Sequence, residues 1–138
     1  MPTLLAKHVH SLLKCLGAML VFVLLTACQG DDFTALTPDS ARTAYNSNPA
    51  SFLDVRTQAE WDGGHLVGAE HIPLDKLEKS VSAVFPDKDQ AIVAYCRSGR
   101  RASNAAQILK GMGYSNISVV VAGGYAELRQ AGYPVEER

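Results

Sequence analysis

Apolar residues fall in short blocks along this chain, and the spacing inside each block decides which element it predicts. Ser51-Phe52-Leu53-Asp54-Val55 and Ala91-Ile92-Val93-Ala94-Tyr95 are brief apolar runs of buried-strand length, and Ile117 to Val121 is a third, rich in β-branched residues. Phe33 to Leu36 and Ala69 to Ile72 predict two shorter strands. Between these runs the apolar period lengthens. Leu74, Leu77, Val81 and Val84 recur at helical spacing up to Pro86, a face expected to be buried on the sheet, and Arg101 to about Met112 is a helix pattern closed by Gly113. Asp39 to Asn46 predicts a short helix after Thr37-Pro38, ended by Asn48-Pro49. Thr57-Gln58-Ala59-Glu60 is a capping box that opens one or two turns through Trp61, stopped by Gly63-Gly64, and Tyr125 to Gln130 is a last helix after Gly123-Gly124.

Strand and helix thus alternate. That order predicts an α/β domain with an about five-stranded, mostly parallel sheet and helices on both faces, since parallel strands need crossover connections. Ligands of such sheets sit at the carboxyl ends of the strands. The residue that leaves the end of the 91–95 run is Cys96.

The 138 residues, 47% of them hydrophobic, suit one core, and the N-terminal segment stands outside it. Lys7 and Lys14 precede an uncharged apolar run, Cys15 to Ala27, too short for an ordinary spanning helix and laid out like a secretory signal. It ends in Leu25-Thr26-Ala27-Cys28, which resembles a bacterial lipobox with Cys28 as the residue to be lipidated. The expected division is a lipoprotein signal peptide over 1–27, a polar tether over 28–32 and a folded domain over 33–138. An uncleaved anchor helix, or ordinary cleavage leaving Cys28 as a plain thiol, would also export the domain. The expected location is the periplasmic side of a bacterial membrane, the outer membrane being favoured by Gln29 after the cysteine, or else the soluble periplasm.

Cleavage removes two of the 13 basic residues and none of the 14 acidic ones, moving the formal charge from −1 to −3, and nothing points to a nucleic-acid partner. Cysteine usage is more telling. Cys15 leaves with the signal and Cys28 is acylated, so Cys96 is the single free thiol expected in a compartment that favours disulfides.

Cys96-Arg97-Ser98-Gly99-Arg100-Arg101 joins a buried strand to a helix N-terminus, where unpaired backbone N–H groups and the helix dipole favour a thiolate nucleophile. Gly99 lets the loop turn back with positive φ, so that the amides of residues 97 to 101 converge as an anion cradle. Arg97, Arg100 and Arg101 suit a small, oxygen-rich anion as substrate. A cysteine that merely continues a buried strand is the plain alternative, and the glycine with three arginines weighs against it. A tyrosine-phosphatase loop needs five residues between cysteine and arginine; here that position is Ala102, and Arg101 comes one residue early.

The same six residues resemble the active loop of rhodanese-type sulfurtransferases: cysteine, glycine three residues on, and a basic residue two further. Asp54-Val55-Arg56 resembles a second element of that family, and Glu60-Trp61-Asp62-Gly63-Gly64-His65-Leu66-Val67-Gly68-Ala69-Glu70-His71-Ile72-Pro73 matches its E-W-x-x-G-H-[IL]-x-G-A-x-[NH]-I-P element. Gly123-Gly124 is similar to a fourth, with Tyr125 where tryptophan is common. The resemblance covers residues 33 to 135 and is closest to small single-domain exported members. It implies a rhodanese-like fold and transfer of sulfane sulfur from thiosulfate, through a Cys96 persulfide, to cyanide or a thiol acceptor. Cys96 is then the nucleophile, with Arg97, Ser98, Gly99, Arg100 and Arg101 binding substrate. The cation-rich loop favours thiosulfate over mercaptopyruvate. A lipid-anchored persulfide carrier or sensor serving a protein partner is the alternative.

No cofactor or metal is expected, and a monomer is. His65 and His71 have no metal-ligand spacing and are expected to be structural. Asp54 and Arg56 are expected to hold the fold through an ion pair or loop hydrogen bonds, and Trp61 to be a core or lid contact.

Overall fold

The computed structural model describes residues 33–137. Seven strands and five α-helices alternate along it: β1 (Thr34–Leu36), α1 (Arg42–Ser47), β2 (Phe52–Asp54), α2 (Gln58–Asp62), β3 (His65–Leu66), β4 (Glu70–His71), α3 (Leu77–Val84), β5 (Ile92–Tyr95), α4 (Arg100–Gly111), β6 (Ile117–Val120), α5 (Tyr125–Gln130) and β7 (Val135–Glu136). Five strands make one sheet in the order β1-β6-β5-β2-β4, every pairing parallel. This is the expected α/β architecture.

Neighbouring residues of a strand point to opposite faces, and each face has its own core. Leu53, Ile92, Ala94 and Val119 pack with Leu77 and Val81 of α3 and Ala102, Ala105, Ala106 and Leu109 of α4. Phe52, Val93, Tyr95 and Val120 pack with Ala41, Tyr45 of α1, Leu128 of α5 and Tyr133. Burial on both faces is why β5 is an unbroken apolar run and β2 opens on two adjacent apolar residues, Phe52 and Leu53, instead of alternating. Leu53, Leu77, Leu109 and Leu128 are all 0% exposed, and each such side chain contributes about 1.5–3 kcal/mol by leaving water.

The sequence expectations shift in three places. The helix expected from Asp39 begins at Arg42, because Thr37 and Ser40 bond reciprocally (Thr37 N–H to Ser40 Oγ 2.8 Å, Ser40 N–H to Thr37 Oγ1 3.1 Å) and hold the chain in a turn first. The apolar stripe starts with a 3₁₀ turn, Leu74–Lys76, and its last member, Val84, is 38% exposed while the next residue, Phe85, is 4% exposed. Val84 ends α3, and the backbone leaves helical geometry at Phe85, swinging that ring under the sheet instead. The apolar pattern does not predict a second, two-stranded antiparallel sheet of β3 and β7, which pairs His65 with Glu136 and Leu66 with Val135.

Cys15 and Cys28, with the whole signal and tether, lie outside the described residues. No helix among the described residues is long and apolar enough to cross a membrane.

Candidate active site

Strand β5 delivers Cys96 to the carboxyl edge of the sheet at its centre, between β2 and β6. The residue is 1% exposed and is the free cysteine among the described residues. Four residues later α4 begins, and Gly99 makes the turn with φ +88°. A side chain there would be strained by that φ, and its Cβ would meet the Val121 carbonyl oxygen at 2.9 Å. The turn carries the Gly99 N–H to within 3.2 Å of the Cys96 Sγ, to which it donates. The Gly99 carbonyl accepts from Ser103 N–H at 2.9 Å and Ser103 Oγ at 3.0 Å, so the first turn of α4 closes onto the loop.

The other wall is the start of α5. Tyr125 N–H donates to the Cys96 carbonyl at 2.9 Å, and Gly124 lies flat against the backbone of Cys96 and Arg97. Loop and helix therefore share one backbone interface.

Arg97, Ser98, Arg100 and Arg101 line a depression over the loop, while Gly99 is buried beneath them. All five residues expected around Cys96 thus lie on the rim above it or, for Gly99, against its sulfur. The arginines are unequal. Arg97 and Arg100 are exposed, and neither guanidinium has a hydrogen-bond or ion-pair partner among the described residues. Arg101 is gripped by Glu60 through two parallel bonds, 2.7 Å to Oε2 and 2.8 Å to Oε1. Its guanidinium is raised above its ordinary pKa first by those bonds, against the lowering effect of burial, and further by the Cys96 sulfur it faces. The Glu60 carboxyl is pushed down to about 2, chiefly by Arg101 and, against burial, by Thr57. The grip of Glu60 on Arg101 is not legible in the sequence, where Glu60 stands as the cap of α2 and as the first residue of the E-W-x-x-G-H element.

A second depression, lined by Arg56, Ala59, Glu60, Gly63, Arg97, Tyr125 and Ala126, lies between α2 and α5. Arg97 borders both. Beneath it Arg56 bonds Asp54 through Nε (2.9 Å to Oδ2) and Nη2 (2.7 Å), and donates to the Gly64 carbonyl at 2.8 Å. Burial opposes the Arg56 charge, and the Asp54 carboxylate more than restores it. The guanidinium also lies 4.1 Å from the centre of the Tyr125 ring. The pair buttresses the site from below, the fold-holding role expected of it.

Trp61 stacks on both histidines, 3.7 Å from the His65 ring and 4.5 Å from His71. His65 Nδ1 is 3.1 Å from the Trp61 carbonyl and His71 Nε2 is 3.0 Å from that of Arg56, so both rings tie backbone segments together. No group of three or more His, Cys, Asp or Glu side chains among the described residues is gathered as a metal site.

An open parallel α/β sheet with a single cysteine loop at its carboxyl edge, among the described residues, defines the class. The family profile of the Rhodanese-like domain matches residues 37–131, and the chain belongs to that family. Thiosulfate sulfurtransferase PspE of Escherichia coli K12 is 33% identical over 66 residues, 48% of this chain and 64% of its own length. The putative sulfur carrier protein YrkF of Bacillus subtilis is 36% identical over 73 residues, 53% of this chain and 38% of its own. A solved structure described as rhodanese with anions from E. coli is similar at a TM-score of 0.55 and 30% identity, covering 63% of this chain and 96% of that one. The chain spans less than two thirds of the length of these two curated relatives.

Proposed function

We propose that the protein is a thiosulfate sulfurtransferase that works through a persulfide on Cys96. The observation that carries this reading is the Cys96 Sγ at the edge of the sheet, bonded by the Gly99 N–H at 3.2 Å beneath a rim of three arginines. In the first half-reaction the Cys96 thiolate attacks the outer sulfur of thiosulfate. The S–S bond of thiosulfate breaks, sulfite leaves with the bonding pair, and Cys96 carries S–S⁻. In the second, cyanide or a thiolate attacks the terminal sulfur, and thiocyanate or a new persulfide leaves as the Cys96 thiolate is regenerated. Both steps are displacements at sulfur, and the protein's part is to hold the nucleophile and stabilise the charge that moves between sulfur atoms. The relative named a thiosulfate sulfurtransferase and the similar structure solved with anions support the choice of donor.

Incubation of the full chain with thiosulfate is expected to add the mass of one sulfur atom to the Cys96 peptide, and later addition of cyanide to remove it as thiocyanate. A protein that gains no mass under turnover conditions overturns the reading.

Likeness to a putative sulfur carrier supports a second reading, a persulfide relay to a protein partner. A relay discharges far faster to its partner than to cyanide or small thiols, so comparing those rates separates the two.

The resemblance of Leu25 to Cys28 to a lipobox supports a lipid anchor at Cys28 on the periplasmic side of a bacterial membrane, with the outer membrane favoured by Gln29. Cys28→Ala is expected to move the protein from the membrane fraction to the soluble one. A wild-type chain that is already soluble and of unmodified mass at Cys28 rules out the anchor.

A further inference from the structure

Glu60 does two jobs with one carboxylate. Its Oε2 accepts from Thr57 N–H at 3.0 Å and Thr57 Oγ1 at 2.9 Å, which closes the capping box of α2. The same carboxylate takes both Nη atoms of Arg101, at 2.7 and 2.8 Å. Parallel paired bonds fix the plane of a guanidinium as well as its charge. The side chains are only 26% and 31% exposed, so the geometry is partly shielded from water. Arg101 is therefore held from outside the loop, by the N-terminus of another helix, while Arg97 and Arg100 are held by nothing comparable.

The geometry points to a division of labour among the arginines, resting on the sulfurtransferase reading: Glu60 is a positioning residue that clamps Arg101 on the rim of the Cys96 loop, and Arg97 and Arg100 recruit the anionic donor. A cation already paired with a carboxylate attracts a second anion weakly. Its value lies in fixed donors beside the atom where negative charge develops, which needs no reorganisation during reaction. Exposed, unpaired cations act instead on encounter and affinity. Arg97 is the stronger recruiter, since it borders both depressions.

Steady-state kinetics of full-length variants test this. Glu60→Gln is expected to lower kcat about tenfold with the thiosulfate KM within about twofold of wild type, whereas Arg97→Ala and Arg100→Ala raise KM and keep kcat. Arg101→Lys keeps the charge but loses the paired bonds, and should match Glu60→Gln. The double variant Glu60→Gln/Arg101→Lys should be no worse in kcat than either single one, because residues acting as a unit are not additive. A Glu60 that only caps α2 would lower Tm in both backgrounds and leave kcat unchanged. Multiplying kcat losses, or a raised KM with normal kcat in Glu60→Gln, overturns the clamp.

A second arm needs no sulfur donor: the rate of Cys96 alkylation by iodoacetate, an anion, relative to neutral iodoacetamide. Arg97→Ala and Arg100→Ala should each lower that ratio, and Glu60→Gln/Arg101→Gln, which removes the pair as a neutral unit, should not. If the wild type takes no sulfur from thiosulfate, the sulfurtransferase reading fails alone and this ratio still decides the arginine roles. A fall in the pair-removed variant equal to that in Arg97→Ala overturns the inference.

Discussion

Cys96→Ser is expected to bring thiocyanate formation down to the uncatalysed rate, a loss of at least about a thousandfold, while leaving a folded domain. The two effects separate because the substitution changes chemistry more than shape. A serine oxygen has neither the nucleophilicity of a thiolate nor the ability to carry sulfane sulfur in an exchangeable S–S bond, so the covalent intermediate has no place to form. The side chain is 1% exposed and packs in the same cluster as Leu53, Ala94 and Ala102, so a buried hydroxyl costs stability. The Gly99 N–H that now meets Sγ at 3.2 Å is available to the new oxygen and limits that cost to about 1 kcal/mol. In a domain of this size that is a fall of roughly 4–8 °C in Tm. Far-ultraviolet circular dichroism with a thermal scan checks the fold, and the thiosulfate–cyanide assay checks the chemistry. A folded serine variant that keeps a tenth of the activity would move the sulfur-carrying role away from Cys96.

What the sequence revealed and what it hid follow the range of the interactions concerned. The apolar run before Cys96, Gly99 three residues on and the helix pattern from Arg101 are all local, and together they are enough to place the loop at the edge of a parallel sheet. Glu60 shows the opposite case. Its capping box with Thr57 is a three-residue signal and was legible, but its grip on Arg101 spans 41 residues and nothing in either segment announces it. The cap and the E-W-x-x-G-H element each account for Glu60 within its own segment, leaving no unexplained acid to look for. β3 and β7 escaped for a related reason: two-residue strands carry no periodicity, and their pairing joins His65 to Glu136. Val84 fits the helical spacing of its stripe yet is exposed, because the helix ends on it and the next residue, Phe85, fills the core. Pattern reading finds the axis of an element well and its last turn poorly.

Gly124→Ala should be the most damaging single-methyl change in the domain, with a loss of more than about 3 kcal/mol in stability and of sulfur transfer with it. The backbone there, φ −165° and ψ −142°, is extended and puts no unusual demand on φ, so the cause is space. A Cβ would lie 2.2 Å from the Cys96 carbonyl oxygen and 2.4 Å from that of Arg97. Both atoms are backbone and cannot swing aside as a side-chain end does. The Cys96 carbonyl is further tied by the Tyr125 N–H at 2.9 Å, and Gly124 itself by its N–H to Glu127 Oε2 at 2.8 Å. Relief requires α5 and the loop to part, which breaks these bonds and moves the Cys96 sulfur relative to the Gly99 amide. Chemical denaturation measures the stability, and the assay on protein kept well below its lowered Tm measures the activity. Gly111→Ala is the contrast: nothing lies within 4 Å of the added carbon at this helix-end position, and helix propensity predicts a gain of up to about 1 kcal/mol. If Gly124→Ala behaves like Gly111→Ala, the close contact between α5 and the cysteine loop is not what fixes the site. A stable but inactive Gly124→Ala would show instead that the loop yields first, making this glycine a determinant of the loop's shape more than of the fold.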